Sequence, residues 1–230
     1  MPDTIYPMSI IRIYLVVATL CISGCALNGK IAGPGTGEGQ EINRVVVMPF
    51  ATASDRHDLG RSLRCSICGA VFQGGPVKKD ADIYMSHQLM GWMKENTSCT
   101  IIPARTARAV RSSMLSEEMS MSDHRLSVEI GKRLEADAIM SGTVYRFQER
   151  VGTSLSVEAP ASVAFGIHLV RVSDGHLMWV GRFDETQHSL SEDLFRWRTF
   201  FQRGGGWLTV EELASFGFQE VMATFPLKGE

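Results

Sequence analysis

The segment Arg44-Val45-Val46-Val47-Met48-Pro49-Phe50 constrains the fold of this chain more than any other. Three β-branched residues and a methionine follow one another with no polar position between them. Such a run reads as a strand buried on both faces, and Pro49, with no N–H to offer a ladder, marks its end. The expected class is therefore α/β (α+β), a mixed sheet with helices packed on it.

The rest of the chain carries patterns for those elements. Asp80 or Asp82 can cap a helix reaching about residue 96, with Met85, Leu89 and Trp92 on one stripe. Residues 99–102 read as a short strand, and Pro103 suits the first turn of a helix to about residue 115. Leu126, Ile130 and Leu134 recur every fourth position in a helix over about 122–135. Residues 138–147 read as a strand in which Ile139, Ser141, Thr143, Tyr145 and Phe147 alternate with Met140, Gly142 and Val144. Two strands, 163–172 and 177–183, flank Ser173-Asp174-Gly175-His176. Asp-Gly favours a tight type I′ turn, so an antiparallel hairpin closes the sheet. Residues 51–80 read as irregular.

Two C-terminal helices complete the expectation. Ser189-Leu190-Ser191-Glu192 and Thr209-Val210-Glu211-Glu212 are capping boxes. Behind the first, Leu190, Leu194, Trp197 and Phe201 share a face; Gly204-Gly205-Gly206 separates the pair and Pro226 ends the second.

Residues 13–22 form a short apolar run preceded by Arg12. A bilayer-spanning helix needs roughly 20 apolar residues, so this run suits the apolar core of a secretory signal instead. A start at Met8 rather than Met1 would drop Asp3 and leave a short positive segment. The run ends in Ile22-Ser23-Gly24-Cys25, which resembles the bacterial lipobox. Small residues before the cut let a peptidase reach the backbone, and the cysteine thiol becomes the thioether that carries the diacylglyceryl group. The resemblance implies cleavage before Cys25 and a second acylation at the new amino terminus. Each buried CH₂ contributes about 0.8 kcal/mol, and two or three chains anchor firmly. Ala26, unlike the aspartate that retains such proteins in the inner membrane, implies transfer to the outer membrane. The organisation expected is a signal peptide over 1–24 and a lipidated Gly-rich tether over 25–42. One periplasmic domain follows over 43–230, with a helical extension from about 186. Within the tether, residues 28–41 hold five glycines and one proline, a composition for reach rather than folding.

The 23 basic and 25 acidic residues leave a formal charge of −2. Loss of Asp3 and Arg12 with the signal removes one of each, so the balance is unchanged. Nucleic-acid binders ordinarily carry a basic face, so no nucleic-acid partner is expected.

Met-Pro-Phe at the end of the first strand, followed by Gly131-Lys132-Arg133-Leu134-Glu135-Ala136-Asp137 and Ser141-Gly142-Thr143-Val144, resembles a known α/β domain. It is shared by the amino-terminal part of the Tol translocation protein, the curli secretion lipoprotein and the peptidoglycan-synthase-activating lipoproteins. The resemblance covers about residues 43–185 and implies a binding or assembly role rather than a reaction. Glu135 stands where that group commonly has glycine, and residues 186–226 lie outside its pattern.

Cys65-Ser66-Ile67-Cys68 is the chain's most reactive-looking motif. As a redox pair it should open a helix directly after a strand. As a zinc site it lacks a second such pair or a nearby histidine pair, His57 and His87 being the closest in sequence. In an oxidising compartment a structural disulfide accounts for it, either Cys65–Cys68 or one of them with Cys99; reduced thiols are the other reading. His168 reads as a satisfied sheet residue. Phe195, Phe200 and Trp207 are a candidate partner patch. No catalytic residue, metal or cofactor is expected. The function expected is that of a non-enzymatic module anchored to the membrane through lipid on Cys25. Its partner would be an unknown envelope protein or a peptidoglycan-associated one. A curli-type secretion-pore subunit and a thiol redox protein using Cys65 and Cys68 are the alternatives.

Overall fold

The valine run forms β1 (Arg44–Val47), and Val45 and Val46 are fully buried. It is followed by β2 (Ala51–Thr52), β3 (Ser62–Arg64), β4 (Val71–Gln73), α1 (Ala81–Asn96) and β5 (Thr100–Ile102). Next come α2 (Ala104–Glu117), α3 (Asp123–Arg133), β6 (Ala138–Gln148), β7 (Val151–Gly152) and β8 (Val157–Ala159). The last elements are β9 (Ser162–Arg171), β10 (Leu177–Thr186) and α4 (Val210–Met222). This computed structural model describes residues 41–53, 60–117, 121–153, 156–187 and 206–227.

The main sheet runs β10-β9-β6-β1-β5, with β2 also on β6. β1 is parallel to β5 and β6; β6, β9 and β10 are successively antiparallel. The fold is thus the expected mixed α/β sheet with an antiparallel hairpin at one edge. Helices cover both faces. Met85, Leu89 and Met93 of α1 and Leu213, Phe218 and Met222 of α4 pack on Val45, Val47, Met140, Phe165 and Leu169. Ala107 and Met114 of α2 and Leu126 and Ile130 of α3 pack on Val46, Ile139 and Val170 of the other face.

Local chemistry explains the motifs. The Asp137 carboxylate accepts the backbone N–H groups of Asn43 and Arg44 at 2.9 and 2.8 Å, fixing where β1 starts. At Gly142 a Cβ would come within 2.4 Å of the Phe50 ring, so the glycine of one motif makes room for the phenylalanine of the other. Ser122 caps α3, and Thr209 with Glu212 forms the expected capping box of α4. The capping box predicted at Ser189 lies outside the described residues, as do Leu190, Leu194, Trp197 and Phe201.

Three details differ from expectation. The stretch read as irregular contains the antiparallel pair β3–β4, which lies over the sheet. A β-bulge between Val144 and Arg146 breaks the alternation of β6: Phe147 turns to the α1/α4 face, opposite Tyr145. In the β9–β10 connection Gly175 has a positive φ of 72° but Asp174 does not, which excludes a type I′ turn. Asp174 instead accepts the His176 N–H at 2.9 Å.

Candidate functional site

β3 and β4 are short, and what holds them is packing onto β6 and β9. Phe72 is buried and stacks on Tyr145 with centroids 4.1 Å apart at 8°. Arg182 of β10 covers Phe72, 5.3 Å from its centroid. Beside this stack, Arg146 is buried and donates to Ser162 at 2.5 Å, to the Gln73 carbonyl at 2.6 Å and to Asp184 at 2.6 Å. Asp184 also accepts the Gln73 N–H at 3.1 Å. These bonds fasten the end of β4 to the sheet.

The turn between β3 and β4 is the Cys-Ser-Ile-Cys motif. The Cys65 N–H donates to the Ala70 carbonyl at 2.7 Å and the Gly69 N–H to the Cys65 carbonyl at 3.0 Å. The Ile67 N–H points at the Cys65 sulfur at 3.4 Å. This places both thiols over β9, where Nε2 of the fully buried His168 lies 3.3 Å from Cys65 Sγ and 3.2 Å from Cys68 Sγ. The three ligand atoms all lie within 4.8 Å of one another. The Cys68 thiol beside it holds the Cys65 thiol well below its usual range; burial opposes this and His168 reinforces it. The same thiol–thiol hydrogen bond, then burial, pushes Cys68 up. Burial and the neighbouring Cys65 sulfur push the Tyr145 hydroxyl up.

Cys65, Cys68 and Cys99 are free thiols. Cys99 directly precedes β5, with its thiol toward the Ile42 carbonyl at 3.4 Å. That strand is three spacings, about 14 Å, from β9, so Cys99 does not join the cluster. The pair sits in a hairpin turn instead of opening a helix, which is not the setting expected of a redox pair. Nor are the nearest histidines in sequence the relevant ones. His87 is exposed on α1, which packs on the opposite face, and His57 is outside the described residues. The third donor is His168, 100 residues beyond Cys68. Its signal was a lone imidazole in a strand otherwise apolar from Val163 to Val170. His168 is also not satisfied as expected: its Nδ1 is buried without a hydrogen-bond partner, and so is Oγ of Ser141. Those two residues face each other directly across β6 and β9.

A cleft of about 430 Å³ opens at the carboxyl end of β1, walled by Ser66 and Ile67 of the turn, Ser141, Tyr145, Arg111 and Asp123. Ser66 donates to Asp123 at 2.7 Å, tying the turn to the start of α3. The other predicted residues lie elsewhere. Ile22, Ser23, Gly24, Cys25, Phe195 and Phe200 are outside the described residues, and Trp207 is half-buried with its carbonyl held by Arg150.

No family model matches the sequence, and no curated protein does. Solved structures do. The PelC dodecamer from Paraburkholderia phytofirmans is similar over 84% of this chain and 94% of that one, at 12% identity and a TM-score of 0.46. Lipoprotein GNA1162 from Neisseria meningitidis is similar over 71% and 99%, at 15% identity and 0.40. The LpoB C-terminal domain from Escherichia coli is similar over 74% and 94%, at 13% identity and 0.38.

Proposed function

We propose that this chain is a lipid-anchored protein of the bacterial envelope whose domain binds or assembles another envelope component and carries out no reaction. The observation that carries the reading is Ile22-Ser23-Gly24-Cys25 at the end of a ten-residue apolar run. The Gly-rich residues 28–41 lie between it and β1, a spacing that suits a tether. Acyl chains on Cys25 hold the domain at a membrane, the outer membrane by the residue that follows, and raise its effective concentration near partners. Among the described residues no helix is long and apolar enough to cross a membrane. β3 and β4 have three residues each, and β7 and β8 two and three. A lipid-facing barrel strand needs about 9 to 11, so the secretion-pore alternative finds no support in these hairpins.

The test is Cys25→Ser in the full chain, with membrane fractionation and intact-mass analysis of the parent. The parent should end at a Cys25 carrying fatty chains, and the variant should leave the membrane fraction. A variant as firmly bound as the parent, or a parent with no added chains, would overturn the anchor. Partners are then sought by crosslinking in cells, and recovery of the same envelope protein with the parent but not with the released variant supports the tethered module.

A further inference from the structure

We propose that Cys65, Cys68 and His168 form a three-ligand site for a thiophilic divalent cation, zinc foremost, that staples the β3–β4 hairpin to β9. The inference is independent of the anchor. Two thiolates and one imidazole nitrogen are the donor set zinc prefers. Zn–S near 2.3 Å and Zn–N near 2.0–2.1 Å in a tetrahedron put sulfur and nitrogen about 3.5 Å apart. The observed 3.3 and 3.2 Å separations need only a few tenths of an ångström of opening to admit the ion. The sulfurs come from one turn and the nitrogen from a strand packed beneath it, so the donors converge without rearranging an element.

The second observation is His168 itself. It is fully buried, and its Nδ1 has no hydrogen-bond partner. Leaving a buried polar atom unpaired is unfavourable, and β9 is otherwise apolar here, so packing gives no reason for an imidazole. A cation on Nε2 gives the imidazole a task and makes Nδ1 the N–H donor. Ser141 lies directly opposite on β6 with its own hydroxyl unpaired. The two are not bonded to each other here, and a turn of the ring onto the ion would bring that hydroxyl into place as the acceptor.

Charge favours the same reading. One divalent cation with two thiolates and a neutral imidazole is neutral overall, which suits a buried position. Binding forms two metal–sulfur bonds, replaces each S–H bond that the pair still holds and releases that proton to solvent; no electron is transferred. Three protein donors leave one position of the tetrahedron to water or an exogenous ligand.

The full chain, reduced and stripped with a chelator, is titrated with zinc and separately with cobalt(II), and followed by native mass spectrometry, absorption and melting temperature. The expected result is one metal per chain, thiolate-to-cobalt charge-transfer bands with tetrahedral d–d bands, and a rise in melting temperature on zinc addition. Cys68→Ser, at a half-buried turn position, should bind at least tenfold more weakly and lose the temperature rise. His168→Gln should do the same, and Cys99→Ser should behave as the parent. Circular dichroism checks that each variant is folded. If a variant is not folded, the parent's cobalt spectrum decides alone, because its band intensities report two thiolates and a tetrahedral field. No stoichiometric metal on the reduced parent would overturn the site, as would parent-like affinity in folded Cys68→Ser or His168→Gln. A parent locked by a Cys65–Cys68 disulfide that takes up no metal after reduction would overturn it too.

Discussion

Glu135 holds a φ of 51°, the left-handed conformation that follows a helix end, where side chains other than glycine and asparagine are disfavoured. Glycine takes this conformation without a steric penalty. The Glu135 carboxylate gains only a 3.8 Å contact with Arg44, with the two side chains 85% and 46% exposed, and such a pair contributes little. Glu135→Gly should therefore stabilise the chain by roughly 1 kcal/mol, net of the added freedom glycine has when unfolded. Urea denaturation reads it: a higher midpoint at unchanged slope is expected, and a lower midpoint would mean that the ion pair outweighs the backbone strain. Asp137, two residues on, is the counter-case. Its carboxylate holds the backbone amides of Asn43 and Arg44 at the entry to β1, so its place in the motif is a matter of register rather than of chemistry.

At the scale of elements, the β3–β4 hairpin depends on a few anchors because its own ladder pairs only three residues on each side. Phe72, stacked on Tyr145 and covered by Arg182, is the largest of them. Phe72→Ala should cost about 3 kcal/mol if the loss is felt globally. The expectation is more specific, namely that the hairpin opens as a local unit while the main sheet holds. Hydrogen exchange would then show lost protection at the amides of Cys65 and Gly74, with those of Val46 and Ile139 unchanged. Uniform loss across the sheet would show instead that the hairpin is part of one cooperative core. This element was illegible in the sequence for the same reason that it is fragile. Three-residue strands among glycines have too little periodicity to register, and their pairing is dictated by the surface they land on. The bulge of β6 escaped likewise, since nothing local to Tyr145 signals that Arg146 must turn toward Asp184.

Across the whole molecule, what the sequence made legible is what neighbouring residues encode: the buried valine strand, the Thr209 capping box, the apolar helix stripes and the β9–β10 pair. The cap expected of Asp80 is not made, that residue standing before α1 in a left-handed conformation with no side-chain cap bond. The candidate metal site was not legible, because its third donor reaches the thiols only through the order of the strands. The C-terminal helix shows a similar gap. Nothing in the sequence past residue 186 marks it as part of the sheet's core, yet α4 buries Leu213, Phe218, Val221 and Met222 in the same core as β1 and β9. Beyond it Phe225 sits edge-on between Trp92 of α1 and Trp179 of β10, at 5.4 and 5.1 Å. Burial of each such side chain contributes about 1.5–3 kcal/mol. Five of them therefore account for a free energy comparable to the 5–15 kcal/mol net stability of an ordinary domain. A chain ending at residue 205 should accordingly lose its cooperative thermal transition and bind a hydrophobic dye, even though every strand of the main sheet is retained. Should the truncated chain melt cooperatively within a few degrees of the parent, α4 would be an accessory lying on a core that is already complete.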